Sequence, residues 1–180
     1  MDRQPRLEGP TLTLRPLAEA DREALYAVAS DPQLWALHPM HDRWQRPVFD
    51  AMFADALAHG GALAIAERET GRVIGSSQFR ESAKLPGAIE IGWTFIACDH
   101  WGGAANREVK RLMLAHLFAH ADLAVFRIGE NNVRSRRAME KIGGELMPVT
   151  EDLTFPDGRV VTHVFYTIDR AGFAAGPLSL

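Results

Sequence analysis

Between Ala88 and Gly129 the hydrophobic pattern changes period twice, and this restricts the fold more than any other feature of the 180-residue chain. Residues Ala88 to Ile96 alternate as a strand does. Val109, Leu112, Met113 and Leu117 then recur at helical spacing within about Ala105 to Ala119, and Ala124 to Gly129 is again a short apolar strand. A strand, a helix and a second strand in that order make a β-α-β crossover, and the chemistry of such a domain is expected at the crossover.

The rest of the chain reads as locally paired pieces. Thr11 to Arg15 is a strand closed by Pro16, and helices are predicted from Ala18 to Asp31-Pro32 and after Pro47. The second helix carries Phe49, Met52, Phe53 and Leu57 on one face and stops at Gly60-Gly61. Between the helices, residues 31–46 are too irregular for one long element and too aromatic for a linker, and read as an ordered loop or broken helix. Strands Ala62 to Arg68 and Val73 to Arg80 form a hairpin over Glu69-Thr70-Gly71, and Pro86-Gly87 turns into the strand at Ala88. A short helix, Val133 to Ile142, ends at Gly143-Gly144, and strands Glu145 to Val149 and Val160 to Ile168 flank a turn at Pro156-Asp157-Gly158. The order β-α-α-β-β-β-α-β-α-β-β predicts a mixed α/β (α+β) domain whose mostly antiparallel sheet is flanked by helices. One domain over residues 1–170 is expected, followed by a frayed tail at 171–180.

Composition narrows the function. Lys plus Arg number 20 against 23 Asp plus Glu, so no broad excess of positive charge exists to displace counterions from a nucleic acid. A single cysteine, Cys98, excludes an internal disulfide framework and fits a reducing compartment. No apolar run of about 18 residues suggests a membrane span, and Asp2, Pro5, Glu8 and Pro10 do not read as a signal peptide. The expectation is a soluble cytoplasmic protein with neither nucleic acid nor membrane as partner. No metal is expected, because His116 and His120 lack the glutamate of a zinc-protease helix.

Two segments carry candidate chemistry. His100-Trp101-Gly102-Gly103-Ala104-Ala105-Asn106 lies between a strand and a helix, where small residues and unpaired helix-start N–H groups make an anion site. It serves equally as an ordinary glycine turn. Asn132-Val133-Arg134-Ser135-Arg136-Arg137 opens the next helix, with Asn132 as N-cap. Two such helix starts after neighbouring strands could hold the two ends of a long anionic cofactor. Lys110, Arg111, Arg134, Arg136 and Arg137 concentrate positive charge in the same region.

At this point the chain resembles the GNAT superfamily of acetyl-CoA-dependent N-acetyltransferases, most closely the branch like the RimJ and RimL ribosomal-protein acetyltransferases. The resemblance runs through LTLRPL (12–17), ETGRVIGSSQF (69–79), IEIGWTF (89–95), HWGGAANREVKRLMLAHLF (100–118) and NVRSRRAMEKIGG (132–144). It implies a three-layer domain and acetyl-CoA as co-substrate. It also implies that backbone amides of Trp101, Gly102, Gly103, Ala104, Ala105 and Asn106 hold the pyrophosphate. Here Trp101, Ala104 and Asn106 replace the three consensus positions of that loop. Thr94, Phe95 and Ile96 are implied as backbone partners of the pantetheine arm, with Asn132, Arg134, Ser135 and Arg137 on the other side of the cofactor.

The same resemblance suggests roles in acyl transfer to an amine. Alternation puts Glu90 on one face with Gly92 and Thr94, opposite Ile89, Ile91, Trp93 and Phe95, and Glu90 is the candidate general base, acting directly or through water. Where many relatives place a tyrosine acid for the thiolate, this chain has Met139, so Ser135 is the candidate donor to the sulfur, with Tyr166 and Tyr26 as remote alternatives. Trp35, His38, His41 and Trp44, with Arg43, are candidates for the acceptor groove, or form a packed loop. Direct transfer in a ternary complex is expected rather than acylation of Cys98. A non-catalytic acyl-CoA sensor with the same fold is the competing reading, and a homodimer is the family-level expectation.

Overall fold

The computed structural model describes residues 1–155 and 157–179. Among these, eight strands form one sheet: β1 (Leu7–Glu8), β2 (Leu12–Pro16), β3 (Ala62–Glu67), β4 (Val73–Glu81), β5 (Ile89–Ile96), β6 (Leu123–Gly129), β7 (Glu145–Thr154) and β8 (Val160–Asp169), in the order β1-β2-β3-β4-β5-β6-β8-β7. Every neighbouring pair is antiparallel except β5 and β6, the crossover pair. The helices are α1 (Arg22–Ala29), α2 (Pro32–Trp35), α3 (Arg46–His59), α4 (Ala105–Phe118), α5 (Val133–Lys141) and α6 (Arg170–Ala175).

Strand alternation distributes these helices over two faces. On β3, Leu63 and Ile65 pack with Val109, Met113 and Leu117 of α4 and Met139 of α5. Ala62 and Ala64 face the other way, toward Leu25 of α1 and Phe49 and Phe53 of α3. The sheet is thus the middle of three layers, as the resemblance implied, and each fully buried large apolar side chain in it contributes about 1.5–3 kcal/mol of transfer free energy.

Asp31 caps a one-turn α2, its carboxylate accepting from the Gln33 amide with Pro32 at the first helical position, so residues 31–46 take the broken-helix form of the two readings. Two local features differ from the sequence expectation. β7 runs on to Thr154; its inward residues Met147, Val149, Glu151 and Leu153 are half-buried, and Thr150, Asp152 and Thr154 face solvent. An edge strand wet on one side carries polar residues that hide it from a hydrophobic pattern. The tail is docked rather than frayed: Asp169 caps α6 through the Gly172 amide, Phe173 packs on Phe118 with ring centroids 5.3 Å apart, and Leu178 is buried in the α4-side core. At the last turn Gly158 takes a positive φ of 83° and its amide donates to the Phe155 carbonyl; Pro156 lies outside the described residues.

Candidate active site

β5 and β6 pair at only two rungs, Ile89 with Ala124 and Glu90 with Val125. Beyond Glu90 they separate into a wedge, while the other edge of β5 stays paired to β4 as far as Ile96. Backbone groups of β5 that would complete a ladder with β6 are therefore free to pair with something else.

β5 is also irregular. Its register against β4 slips between Ser76, opposite Phe95, and Gln78, opposite Gly92, so Ser77 spans both Trp93 and Thr94. At this bulge Trp93 has a φ of 51°, the one positive value outside glycine among the described residues. A left-handed residue inverts the alternation after it. Trp93 and Phe95 consequently lie on Glu90's face: the Arg80 guanidinium, paired across from Glu90, sits 3.9 Å over the Trp93 ring, and Phe95 packs on Trp35 at 5.3 Å. Thr94 lies on the opposite face, toward α4. The expected grouping of Glu90, Gly92 and Thr94 is thus corrected for Thr94, because a uniform alternation was assumed across a bulge.

Glu90 stands at the apex of the wedge, 8% exposed. Its Oε1 is 3.6 Å from Arg127 Nε, and Arg127 is shared with Glu151 at 3.3 Å. Burial raises the Glu90 pKa, against the opposing pull of Arg127 and Arg80. Gly92 leaves its Oε1 open, since a Cβ added there would sit 3.5 Å away. A recess between this face and helices α1 and α3 is lined by Leu25, Met52, Gln78, Arg80, Trp93 and Phe95. Glu90 reaches this recess only through Arg80, its partner across the sheet, and a buried carboxylate with a raised pKa suits proton abstraction from an amine.

On the α4 face of the wedge is a residue whose role the sequence reading misplaced. Lys110 is 5% exposed, and its Nζ donates to Thr94 Oγ1 at 2.7 Å, which in turn lies 2.7 Å from Ser77 Oγ. Burial pushes the ammonium down to about 7. It therefore does not belong to a solvent-facing basic cluster for phosphates. The helical spacing of Lys110 with Leu114 and Leu117, both fully buried, was the available signal.

The glycine-rich loop closes the wide end. Gly102 takes a φ of 73°, and Gly102, Gly103 and Ala104 are exposed. Ala104 has φ −81°, so it fits without strain where the family prefers glycine. No side chain caps α4, which leaves its first-turn amides available to an anion. Trp101 anchors the loop, its indole N–H donating to the Ile96 carbonyl at 2.9 Å. That carbonyl is already engaged, leaving Thr94 and Phe95 as the freer part of the expected Thr94-Phe95-Ile96 backbone set. Asn106, half-buried, and Ala105, buried, belong to the first turn of α4.

At α5, Asn132 is buried and its side chain accepts from the Ser135 amide at 3.2 Å, so it acts as the N-cap. The Ser135 hydroxyl makes no hydrogen bond among the described residues. Arg134 is committed: it donates to the Leu34 carbonyl at 2.9 Å and lies 3.9 Å over the Trp101 ring. Arg136 is held by the Tyr166 hydroxyl and the Glu130 carbonyl, leaving exposed Arg137 as the more available cation. Tyr166 in turn bonds Glu140, which removes it as an alternative acid. Met139 is buried in the α4-side core.

The proposed acceptor loop divides. Trp35 is 2% exposed with its indole donating to the Ala29 carbonyl, so it is a core residue rather than a surface of the groove. His38 packs edge-on against it, accepts from the Met40 amide at Nδ1 and approaches Arg43 through Nε2; burial holds its pKa down at about 3, so the ring is neutral. His41 and Trp44 are exposed. Burial, aided by Asp31, pushes the Cys98 thiol up to about 11, which makes it a poor nucleophile.

A wedge with free backbone on one strand, an open glycine loop at its mouth and a carboxylate at its apex fits acetyl-CoA as an extended ligand with an acyl end. Residues 11–145 match the family model described as "Acetyltransferase (GNAT) domain". Among solved structures, a GCN5-related N-acetyltransferase from Brucella melitensis superposes with a TM-score of 0.80 at 20% identity, covering 96% of this chain and 81% of that one. An acetyltransferase from Agrobacterium tumefaciens gives 0.69 at 26% identity, over 92% and 95% of the two chains. RimJ from Mycobacterium smegmatis, in complex with CoA-disulfide, gives 0.70 at 18% identity over 97% and 91%. The chain belongs to the GNAT acetyltransferase family.

Proposed function

We propose that this protein transfers acetyl from acetyl-CoA to a primary amine by direct attack in a ternary complex, the acceptor being a protein N-terminus or a small-molecule amine. The observation that carries the reading is Glu90 at the apex of the β5–β6 wedge, paired across the sheet with Arg80, which lines the recess on the same face. The resemblance to RimJ and RimL favours the N-terminus. An α-amine with a pKa near 8 is roughly 10% neutral at pH 7, so a modest base is sufficient.

Bound acetyl-CoA supplies an acetyl thioester. Around it, the amides of residues 102–105 hold the anionic end, and the free β5 backbone at Thr94 and Phe95 orients the arm. The α1–α3 recess admits the amine on Glu90's face, and Glu90 removes its proton directly or through water. Ser135 offers a free hydroxyl on the α5 side. The raised Cys98 pKa supports a path without an acyl-enzyme.

Calorimetric titration with acetyl-CoA, followed by free-thiol release over a panel of N-terminal peptides and small amines, tests this. Binding with turnover on at least one primary amine is expected. Binding with no turnover on any amine would favour an acyl-CoA sensor instead. Turnover that survives Glu90→Gln but vanishes in Cys98→Ala would replace direct transfer by an acyl-enzyme.

A further inference from the structure

Lys110 is a buried cation without a counter-ion. Its Nζ has three hydrogens and one acceptor, Thr94 Oγ1, among the described residues. What faces it is hydroxyl or apolar: Thr94 from β5, Ser77 behind it from β4, Phe126 from β6 with its ring 5.7 Å away, and Met139 in the same core from α5. Burial alone acts on its ionisation; no carboxylate and no second cation contributes. Burying an unpaired lysine is costly, and a methionine would fill the same space without that cost.

Its place in the fold gives it a use. Phe126 is the first β6 residue past the last paired rung and Thr94 lies four residues past it on β5, so Nζ lies between the two diverging strands, on the face opposite Glu90. Met139, which stands where the resemblance implies a tyrosine in many relatives, is buried in the same α4-side core. We propose that Lys110 is the acid of the acetyl transfer, its ammonium donating a proton to the departing CoA sulfur. The proposal rests on the acetyl-CoA reading above. The new N–C bond forms as the C–S bond breaks; the amine proton goes to Glu90, the Lys110 proton goes to sulfur, and solvent returns one proton to Lys110 and takes one from Glu90. The products are amide and CoA thiol, with no net change in protonation. An ammonium pushed down to about 7 by burial is matched to this work.

The test uses CoA itself, so it does not need the acceptor. If Lys110 faces the sulfur, the thiol of bound CoA ionises more easily than the free thiol, whose pKa is about 8.5. Thiolate absorbance of the wild-type complex across pH should show about tenfold more thiolate near neutrality than free CoA. Lys110→Met should bind CoA comparably and lose that excess. Lys110→Arg should keep it, because the charge remains, yet fall about 10²-fold or more in turnover on a reactive amine, because guanidinium does not give up its proton. The wild-type alkaline limb of kcat near pH 7 should disappear in both variants. A wild-type complex whose thiol titrates like free CoA overturns the proposal, without recourse to any variant. So does mass-spectrometric acetylation of Lys110 on incubation with acetyl-CoA, which would make it a nucleophile. Wild-type protein that binds no CoA at all overturns the cofactor reading as well, an outcome distinct from binding with an unshifted thiol.

Discussion

Replacing Lys110 by methionine should make the protein more stable while disabling it. In the fold the ammonium titrates at about 7 instead of the ordinary 10.5. At about 1.36 kcal/mol per pKa unit this corresponds to an upper bound of about 5 kcal/mol of burial cost in the charged state. The sign follows from proton binding: between about 7 and 10.5 the unfolded chain holds a proton that the folded chain has released, so this residue makes stability rise with pH there. Below 7 both states are protonated and the fold carries the whole cost. Methionine removes the charge and keeps most of the apolar stem, but gives up the bond to Thr94, worth about 1.5–3 kcal/mol for a charged donor. A net gain of about 1–4 kcal/mol is expected near pH 6, or a Tm rise of about 2–4 °C per kcal/mol for a chain this long. Urea unfolding of both proteins near pH 6 and near pH 9 reads it, and the advantage of the variant should shrink by roughly 2–3 kcal/mol between the two pH values. A variant less stable than wild type at pH 6 would refute the reasoning, because the lysine would then be kept for its bond and packing, and so would an advantage independent of pH, because the ammonium would then keep its ordinary pKa in the fold.

Glu90→Gln should lower kcat by about 10²-fold or more with acetyl-CoA affinity unchanged, and should abolish the acid limb of the rate profile. That limb rises with pH through the raised Glu90 pKa, above the ordinary 4.5, since only the carboxylate can accept a proton; an acid limb that persists in the variant would assign it to another group. Trp101→Phe removes the bond to the Ile96 carbonyl and frees the glycine loop; calorimetry should show CoA binding weakened about fivefold, the equivalent of about 1 kcal/mol, with little loss of Tm. Leu178→Ala should cost about 2–4 kcal/mol of unfolding free energy, because the side chain is 2% exposed in the α4-side core; a cost below about 0.5 kcal/mol would mean that the tail is not docked in solution.

The succession of elements was legible because it rests on periodicity and punctuation. Val109, Met113 and Leu117 announce α4, and Gly60-Gly61 and Gly143-Gly144 end helices where the structure ends them. What failed to show was anything set by partners distant in sequence. Trp35 looks like a binding aromatic until its indole is seen on the Ala29 carbonyl. Arg134 looks like a phosphate ligand until it is found stacked on Trp101, more than thirty residues earlier in the chain. α6 is itself built on an unremarkable Gly-Phe-Ala-Ala-Gly stretch, and it and Leu178 dock only because Phe118 and the α4-side core receive them.

The bulge at Trp93 is the most consequential of these hidden features, because it decides which side of the wedge each polar group serves. Ile89 to Ile96 alternates without interruption in the sequence, and a regular strand would have set Thr94 beside Glu90 and carried Trp93 and Phe95 to the α4 face. The left-handed residue, costing roughly 1–2 kcal/mol in an L-amino acid, reverses the second half of the strand. Trp93 and Phe95 then wall the recess on Glu90's side, and Thr94 turns to receive Lys110. The inversion thereby separates the two proton transfers that amide formation requires. In the transfer proposed above, a proton leaves the amine on the face with a burial-raised carboxylate, and one reaches the sulfur from the face with a burial-lowered ammonium. With the sheet between them, Glu90 and Lys110 cannot neutralise each other as an ion pair, which would draw their pKa values apart and leave neither suited to exchange a proton near neutrality.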